Sequence, residues 1–154
     1  MDIKPEDRII AVGGCGDQAF ALLEYARRVI VVDSDLAQIE LIKKRAKLLQ
    51  DGDYQRFLKV EEVGSADGCF SGEQMPEMVQ ANEKRRGIYF SNEGRLERVR
   101  KNLANLEIRG PIDVIEASKS TEHNKIYLSN IIGFGEMFCD ISVLRDIAES
   151  LPPN

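Results

Sequence analysis

Residues 8–36 read RIIAVGGCGDQAFALLEYARRVIVVDSDL, and the pattern of this stretch decides the fold. Ile9, Ile10, Ala11 and Val12 form a short apolar run closed by glycine, as expected for a strand buried on both faces. Gly13, Gly14 and Gly16 follow at once, where the chain must turn sharply and where a ligand can approach the backbone. The spacing predicts a helix from Asp17 to Ala26, its free N–H groups directed back at that turn. Val29 to Val32 make a second buried strand. Asp33 ends it, 20 residues after Gly13, the offset at which an acid reaches the ribose hydroxyls of a nucleoside ligand. The outline is a nucleoside half-site in a Rossmann-like α/β domain.

Gly14, Gly16 and Ala19 satisfy the dinucleotide fingerprint G-x-G-x-x-A. S-adenosylmethionine enzymes place a similar turn under the methionine part of their ligand and a similar acid on its ribose. The motif therefore leaves NAD, S-adenosylmethionine and a ligand-free turn all open.

The bulk of the chain narrows the classes. Its 154 residues suit a single domain, 43% apolar and 31% charged, with room for a sizeable core. A net charge of −5 argues against a general nucleic-acid surface. No run of about 18 apolar residues exists to span a membrane, and the charged start MDIKPEDR is not a signal peptide. Cys15, Cys69 and Cys139 are odd in number and form no C-x-x-C pair, which points to reduced thiols in a cytoplasmic protein. No His, Cys, Asp and Glu cluster has metal-ligand spacing.

Further along, Ser34 or Asp35 is placed to cap a second helix that runs to about Gln50. Leu36, Ile39, Ile42, Ala46 and Leu49 make its apolar stripe. Lys43, Lys44, Arg45 and Lys47 read as a solvated face, with Glu40 four residues before Lys44. Residues 51–111 break the strand–helix rhythm with mostly helical patterns, Met75–Arg85 and Glu93–Leu106 among them. So long an insertion is expected over the carboxyl ends of the strands, as a lid or substrate region. Ile112–Ala117 reads as the third strand and Lys125–Ile132 as the fourth. Glu136–Leu151 reads as a closing helix, stopped by Pro152 and Pro153. In a doubly wound sheet the third, second, first and fourth strands lie side by side. The fourth would then be an apolar edge, which predicts a homodimer, a covering helix, or a longer protein of which the chain is part.

Several segments together resemble the aminocarboxypropyltransferase family that begins betaine-lipid synthesis. They are AVGGCGDQAFALL, VIVVDSDLAQIELIKKRAKLL, DYQRFL, GIYFSNEGRLERVRKNL and IYLSNIIGF. The resemblance covers most of the chain and implies a class I methyltransferase-like fold. Relative to that fold, the chain ends before the usual last three strands. The activity implied is transfer of a 3-amino-3-carboxypropyl group from S-adenosylmethionine to a hydroxyl acceptor such as diacylglycerol, releasing methylthioadenosine. A lipid acceptor would imply peripheral contact with a membrane. Ordinary methyl transfer, a non-catalytic cofactor-binding module and an NAD-binding fragment stay open beside it.

On this reading Gly13, Gly14, Cys15 and Gly16 line the methionine part of the ligand. Asp33, with Ser34 beside it, takes the ribose, and Glu116 and Ala117, ending the third strand, face the adenine. Ser129 and Asn130 end the fourth strand near the reacting centre, where buried polar groups need partners. They contact the cofactor carboxylate or the acceptor, with Ser129 counted as cofactor-binding, or else satisfy the turn; they and the hydroxyls of Tyr89 and Tyr127 are the catalytic candidates. Tyr54 is a weaker one of the same kind, and the lone His123 reads as solvated.

Overall fold

The computed structural model describes residues 2–59 and 84–128, together with Arg145. Strands β1 (Arg8–Val12), β2 (Arg28–Val32), β3 (Leu106–Arg109) and β4 (Lys125–Tyr127) alternate with helices α1 (Asp17–Leu22), α2 (Leu36–Asp51), α3 (Tyr54–Leu58), α4 (residues 84–90), α5 (Glu93–Lys101) and α6 (Val114–Ser120). A short 3-10 turn, Leu103–Asn105, joins α5 to β3.

Every pairing is parallel, and the order is β3-β2-β1-β4. This is the expected strand order, with the reversal of direction between β1 and β4. Ile9–Ala11 and Val29–Val32 are wholly buried, because helices cover both sheet faces. On one face Ile9, Ala11, Val29 and Val31 pack with Phe20 of α1, Ile42 and Leu49 of α2, Phe57 of α3, Phe90 of α4, and Leu96 and Val99 of α5. On the other face Ile10, Ile30 and Val32 pack with Val114 and Ala117 of α6. Phe20, Phe57 and Phe90 meet edge to face, with ring centroids 5.1 and 5.5 Å apart. Each such buried ring contributes roughly 1.5–3 kcal/mol of transfer free energy. At the opposite end of the sheet, buried Asp7 accepts hydrogen bonds from Lys125 Nζ (2.6 Å) and Asn124 Nδ2 (2.9 Å), fastening the start of the chain to β4.

The third strand differs from the expectation. Residues 112–117 do not form it: Asp113 accepts a hydrogen bond from the N–H of Ile115 (2.7 Å) and caps α6. Val114, Ala117 and Ser118 are the buried residues of that helix, at helical spacing that the alternation of IDVIEA conceals. The true third strand is Leu106–Arg109. It was hidden because Leu96, Val99, Leu103 and Leu106 continue a helical period straight through the turn that ends α5.

The described parts of the insertion, α3, α4 and α5, join the core on the α1–α2 face. Residues 60–83 lie outside the described part, as do most of the expected closing helix, the strand end from Ser129 onward, Cys69 and Cys139.

Candidate functional site

The glycine turn stands at the carboxyl end of β1, beside the end of β2, where the sheet changes winding direction. Open α/β sheets bind ligands at such a point. Gly13 donates to Val32 O (2.8 Å), and Gly16 donates to Gly13 O (2.8 Å). Gly14 donates to Asp33 Oδ2 (2.9 Å), while Asp33 Oδ1 accepts from the N–H of Asp35 (2.9 Å). One carboxylate thus ties the turn after β1 to the turn before α2. Each of its oxygens keeps a second lone pair, and the side chain is half-buried.

The glycines are required for different reasons. A Cβ at Gly13 would lie 2.9 Å from Ile42 Cδ1 and 3.1 Å from Asp33 Oδ2, so the turn is packed shut against α2 there. Gly14 has φ +47° and a Cβ built on it would meet nothing within 4 Å. Its outer side is open to an approaching molecule. Gly110, after β3, has a Cβ position 2.7 Å from Ile39 Cγ1, and Ile112 donates to Asp33 O (2.9 Å). The loop after β3 is thereby pressed against the start of α2 and forms a second wall of the site.

Beneath the turn lies a charged cluster that sequence reasoning missed. Arg45 is wholly buried, contrary to its reading as part of a solvated face. It donates to Cys15 O and Phe57 O, pairs with Asp17 Oδ1 at 2.8 Å, and stands 4.5 Å from the Phe57 ring centroid. Arg86 Nε reaches both Asp17 oxygens at 2.9 Å, and its Nη1 donates to Leu58 O at 3.1 Å. Burial alone would raise the Asp17 carboxyl, but the two guanidiniums outweigh it and hold it below the usual carboxylate range. The Cys15 thiol is pushed up, first by burial and then by Asp17, which favours the thiol over the nucleophilic thiolate. The signal for Arg45 was its spacing, since Ile42, Arg45 and Leu49 lie on one helical stripe.

A second buried acid, Glu24 just past α1, collects Arg95 (2.8 Å), Arg98 and the Tyr89 hydroxyl (3.2 Å). Tyr89 is pushed up to about 12, by burial first and then by Glu24. That hydroxyl is committed to locking α4 onto the far end of α1, away from the turn. Tyr54 likewise bonds Glu97. Tyr127 pairs in register with Ala11 and packs half-buried against the α1-side core. Cys15 and Gly16 lie in the turn as expected, and Ser34 is exposed beside Asp33. Ser129 and Asn130 lie outside the described residues.

Glu116 and Ala117 do not end a strand: Glu116 is exposed in the first turn of α6, and Ala117 is buried against the sheet. Their expected position facing an adenine rested on the misplaced strand.

A cleft of about 430 Å³ lies at the opposite, amino-terminal edge of the strands, lined by Arg8, Arg27, Arg28, Glu107 and Glu122 among others. Arg8 pairs with Glu122 and Arg28 with Glu107. Its charges are largely spent on each other, and it has no part of the glycine turn. Among the described residues no three His, Cys, Asp or Glu side chains are grouped to hold a metal. In comparisons with known proteins, no family model, curated protein or solved structure matches the chain.

Proposed function

We propose that the protein binds S-adenosylmethionine at the glycine turn and transfers its 3-amino-3-carboxypropyl group to a hydroxyl acceptor such as diacylglycerol. The observation that carries the ligand reading is the hydrogen-bond accounting of the turn. A dinucleotide's pyrophosphate is held by free backbone N–H groups in a glycine-rich cradle. Here the N–H groups of Gly13, Gly14 and Gly16 are all used internally. A ligand without phosphate, with ribose hydroxyls for Asp33, suits this turn better than NAD. The choice of transferred group rests on the resemblance of the glycine turn, DYQRFL and IYLSNI to the aminocarboxypropyltransferases, which also makes the fold the methyltransferase variety of the Rossmann-like class.

The reaction asks little chemistry of the protein. The acceptor oxygen forms a bond to the terminal carbon of the aminocarboxypropyl chain as that carbon's bond to sulfur breaks. The sulfur keeps the electron pair and leaves as neutral methylthioadenosine, and the acceptor's hydroxyl proton passes to a base or to water. Catalysis is then mostly alignment of the three atoms in line. The rigid turn, clamped between Asp33, Ile42 and the buried Asp17 cluster, provides one fixed side of that alignment. On this reading the protein works in the cytoplasm and meets its acceptor at a membrane surface. Among the described residues no helix is long and apolar enough to cross a membrane.

Incubation of the protein with S-adenosylmethionine and diacylglycerol vesicles, followed by chromatography of the nucleoside products, tests this. Methylthioadenosine is expected. S-adenosylhomocysteine would make the protein a methyltransferase, and neither product would reduce it to a binding module.

A further inference from the structure

The amino-terminal edge of the sheet holds more cation than the fold pairs. Arg8 and Arg28 are partners in the β1–β2 register, so their side chains leave the sheet on one face. That face is the α6 side, because Ile10 and Ile30, two positions further along, pack there. Glu107 is in register with Ile30 and Arg109 with Val32, which brings both onto the same face. Arg8, Arg28 and Glu107 line the cleft of about 430 Å³, together with Arg27, Glu122 and the Ala104–Leu106 segment.

Among the described residues, four guanidiniums meet two carboxylates here. Arg28 and Arg109 share Glu107, and Arg8 pairs with Glu122. Arg27 is exposed on the cleft wall and has no hydrogen bond or ion pair among the described residues. In a chain of net charge −5, this local excess of cation runs against the composition.

The pairs that do form are open to exchange. The Glu122 side chain is 80% exposed, so its hold on Arg8 is screened by water and salt. Arg28 is also exposed, and Glu107 keeps Arg109 when Arg28 turns away. Unlike the Asp17 cluster, none of these groups is buried, so redirecting a guanidinium strands no shielded charge.

The volume of the cleft lies within the range of about 300–1,000 Å³ usual for small-molecule sites, but its walls are charged where such sites are mostly apolar. Guanidiniums match the oxygens of phosphate and carboxylate groups in paired hydrogen bonds. A phosphate monoester brings three terminal oxygens and close to two negative charges. It can therefore engage Arg8, Arg27 and Arg28 together, and a carboxylate with two oxygens suits three guanidiniums less well.

We propose that this cleft binds a phosphate monoester. Arg27 and Arg28 hold its terminal oxygens, Arg8 joins them on release from Glu122, and the organic part of the ligand lies along the Ala104–Leu106 wall. The site is distinct from the glycine turn and does not depend on what the turn binds. Small phosphorylated metabolites and phosphatidic acid carry the same group.

Titration calorimetry of the intact protein at fixed ionic strength tests the site, with glycerol 3-phosphate as the probe. Saturable heat is expected, and none from glycerol. Arg27→Gln should weaken binding about 10-fold, as for a hydrogen bond to a charged group. Its urea midpoint should match the parent's, because the side chain has no partner to lose. Glu122→Gln should act in the opposite direction. It frees Arg8 and should tighten binding about 2- to 5-fold. Sedimentation with phosphatidylcholine vesicles, with and without phosphatidic acid, separates the two sources. Co-sedimentation that needs both phosphatidic acid and Arg27, without affinity for glycerol 3-phosphate, assigns the site to a lipid headgroup. Binding of glycerol 3-phosphate without co-sedimentation assigns it to a free metabolite. The proposal is overturned if the parent binds neither probe or binds glycerol equally well. It is also overturned if Arg27→Gln binds like the parent, or if Glu122→Gln binds no more tightly.

Discussion

At the scale of single residues, Asp33 carries more of the account than its sequence position implied. The sequence offers this acid, at the end of a buried strand, as a ribose acceptor by expectation, and on that reading alone its removal would leave the fold intact. The structure adds that both oxygens already hold backbone N–H groups, from Gly14 and Asp35. Asp33→Ala should therefore lose stability as well as ligand affinity. The stability loss should be about 1.5–3 kcal/mol, as for a hydrogen bond to a charged group, read as a lowered urea midpoint. Affinity for S-adenosylmethionine should fall at least about ten-fold. An unchanged midpoint would mean that these bonds do not hold the turn. The second oxygen contact could not be read from the sequence, because it depends on the left-handed geometry of Gly14, which the letter G permits but does not specify.

At the scale of elements, α2 joins the site to the core. Its apolar stripe was legible, and Ile39, Ile42 and Leu49 are buried as the spacing requires. Leu36, assigned to the same stripe, is 55% exposed at the rim, while Gln38 and Arg45 take its place inside. Composition led the other way because Arg45 stands among Lys43, Lys44 and Lys47, and charge runs are normally solvated. Burial of Arg45 is made possible by Asp17, two main-chain carbonyls and the rings of Phe20 and Phe57. Removing one member of such a cluster strands the others. Asp17→Ala leaves two guanidiniums without their acid and should cost about 3–5 kcal/mol in chemical denaturation. Arg45→Met should cost less, because Asp17 keeps Arg86 and the methionine stays between the two rings. If Arg45→Met proves the more damaging of the two, the cation's ring contacts, rather than the acid, hold the cluster together.

At the scale of the whole molecule, the doubly wound order β3-β2-β1-β4 was legible from two buried strands and their spacing. The identity of β3 was not. A four-residue edge strand, Glu107 and Arg109 alternating with Leu106 and Ile108, is too short to carry much periodic signal, and the helical pattern before it runs straight in. That error put Glu116 and Ala117 at a strand end where the structure has a helix and left the loop at Gly110, pressed against α2, unrecognised. At the reversal of the sheet Gly14 has one open side and is bonded to Asp33. The most direct test is titration calorimetry of the intact protein with S-adenosylmethionine and, in parallel, with NAD. Saturable heat with S-adenosylmethionine and none with NAD is expected from a turn whose glycine N–H groups are already bonded. Binding of NAD without binding of S-adenosylmethionine would contradict the account at its centre.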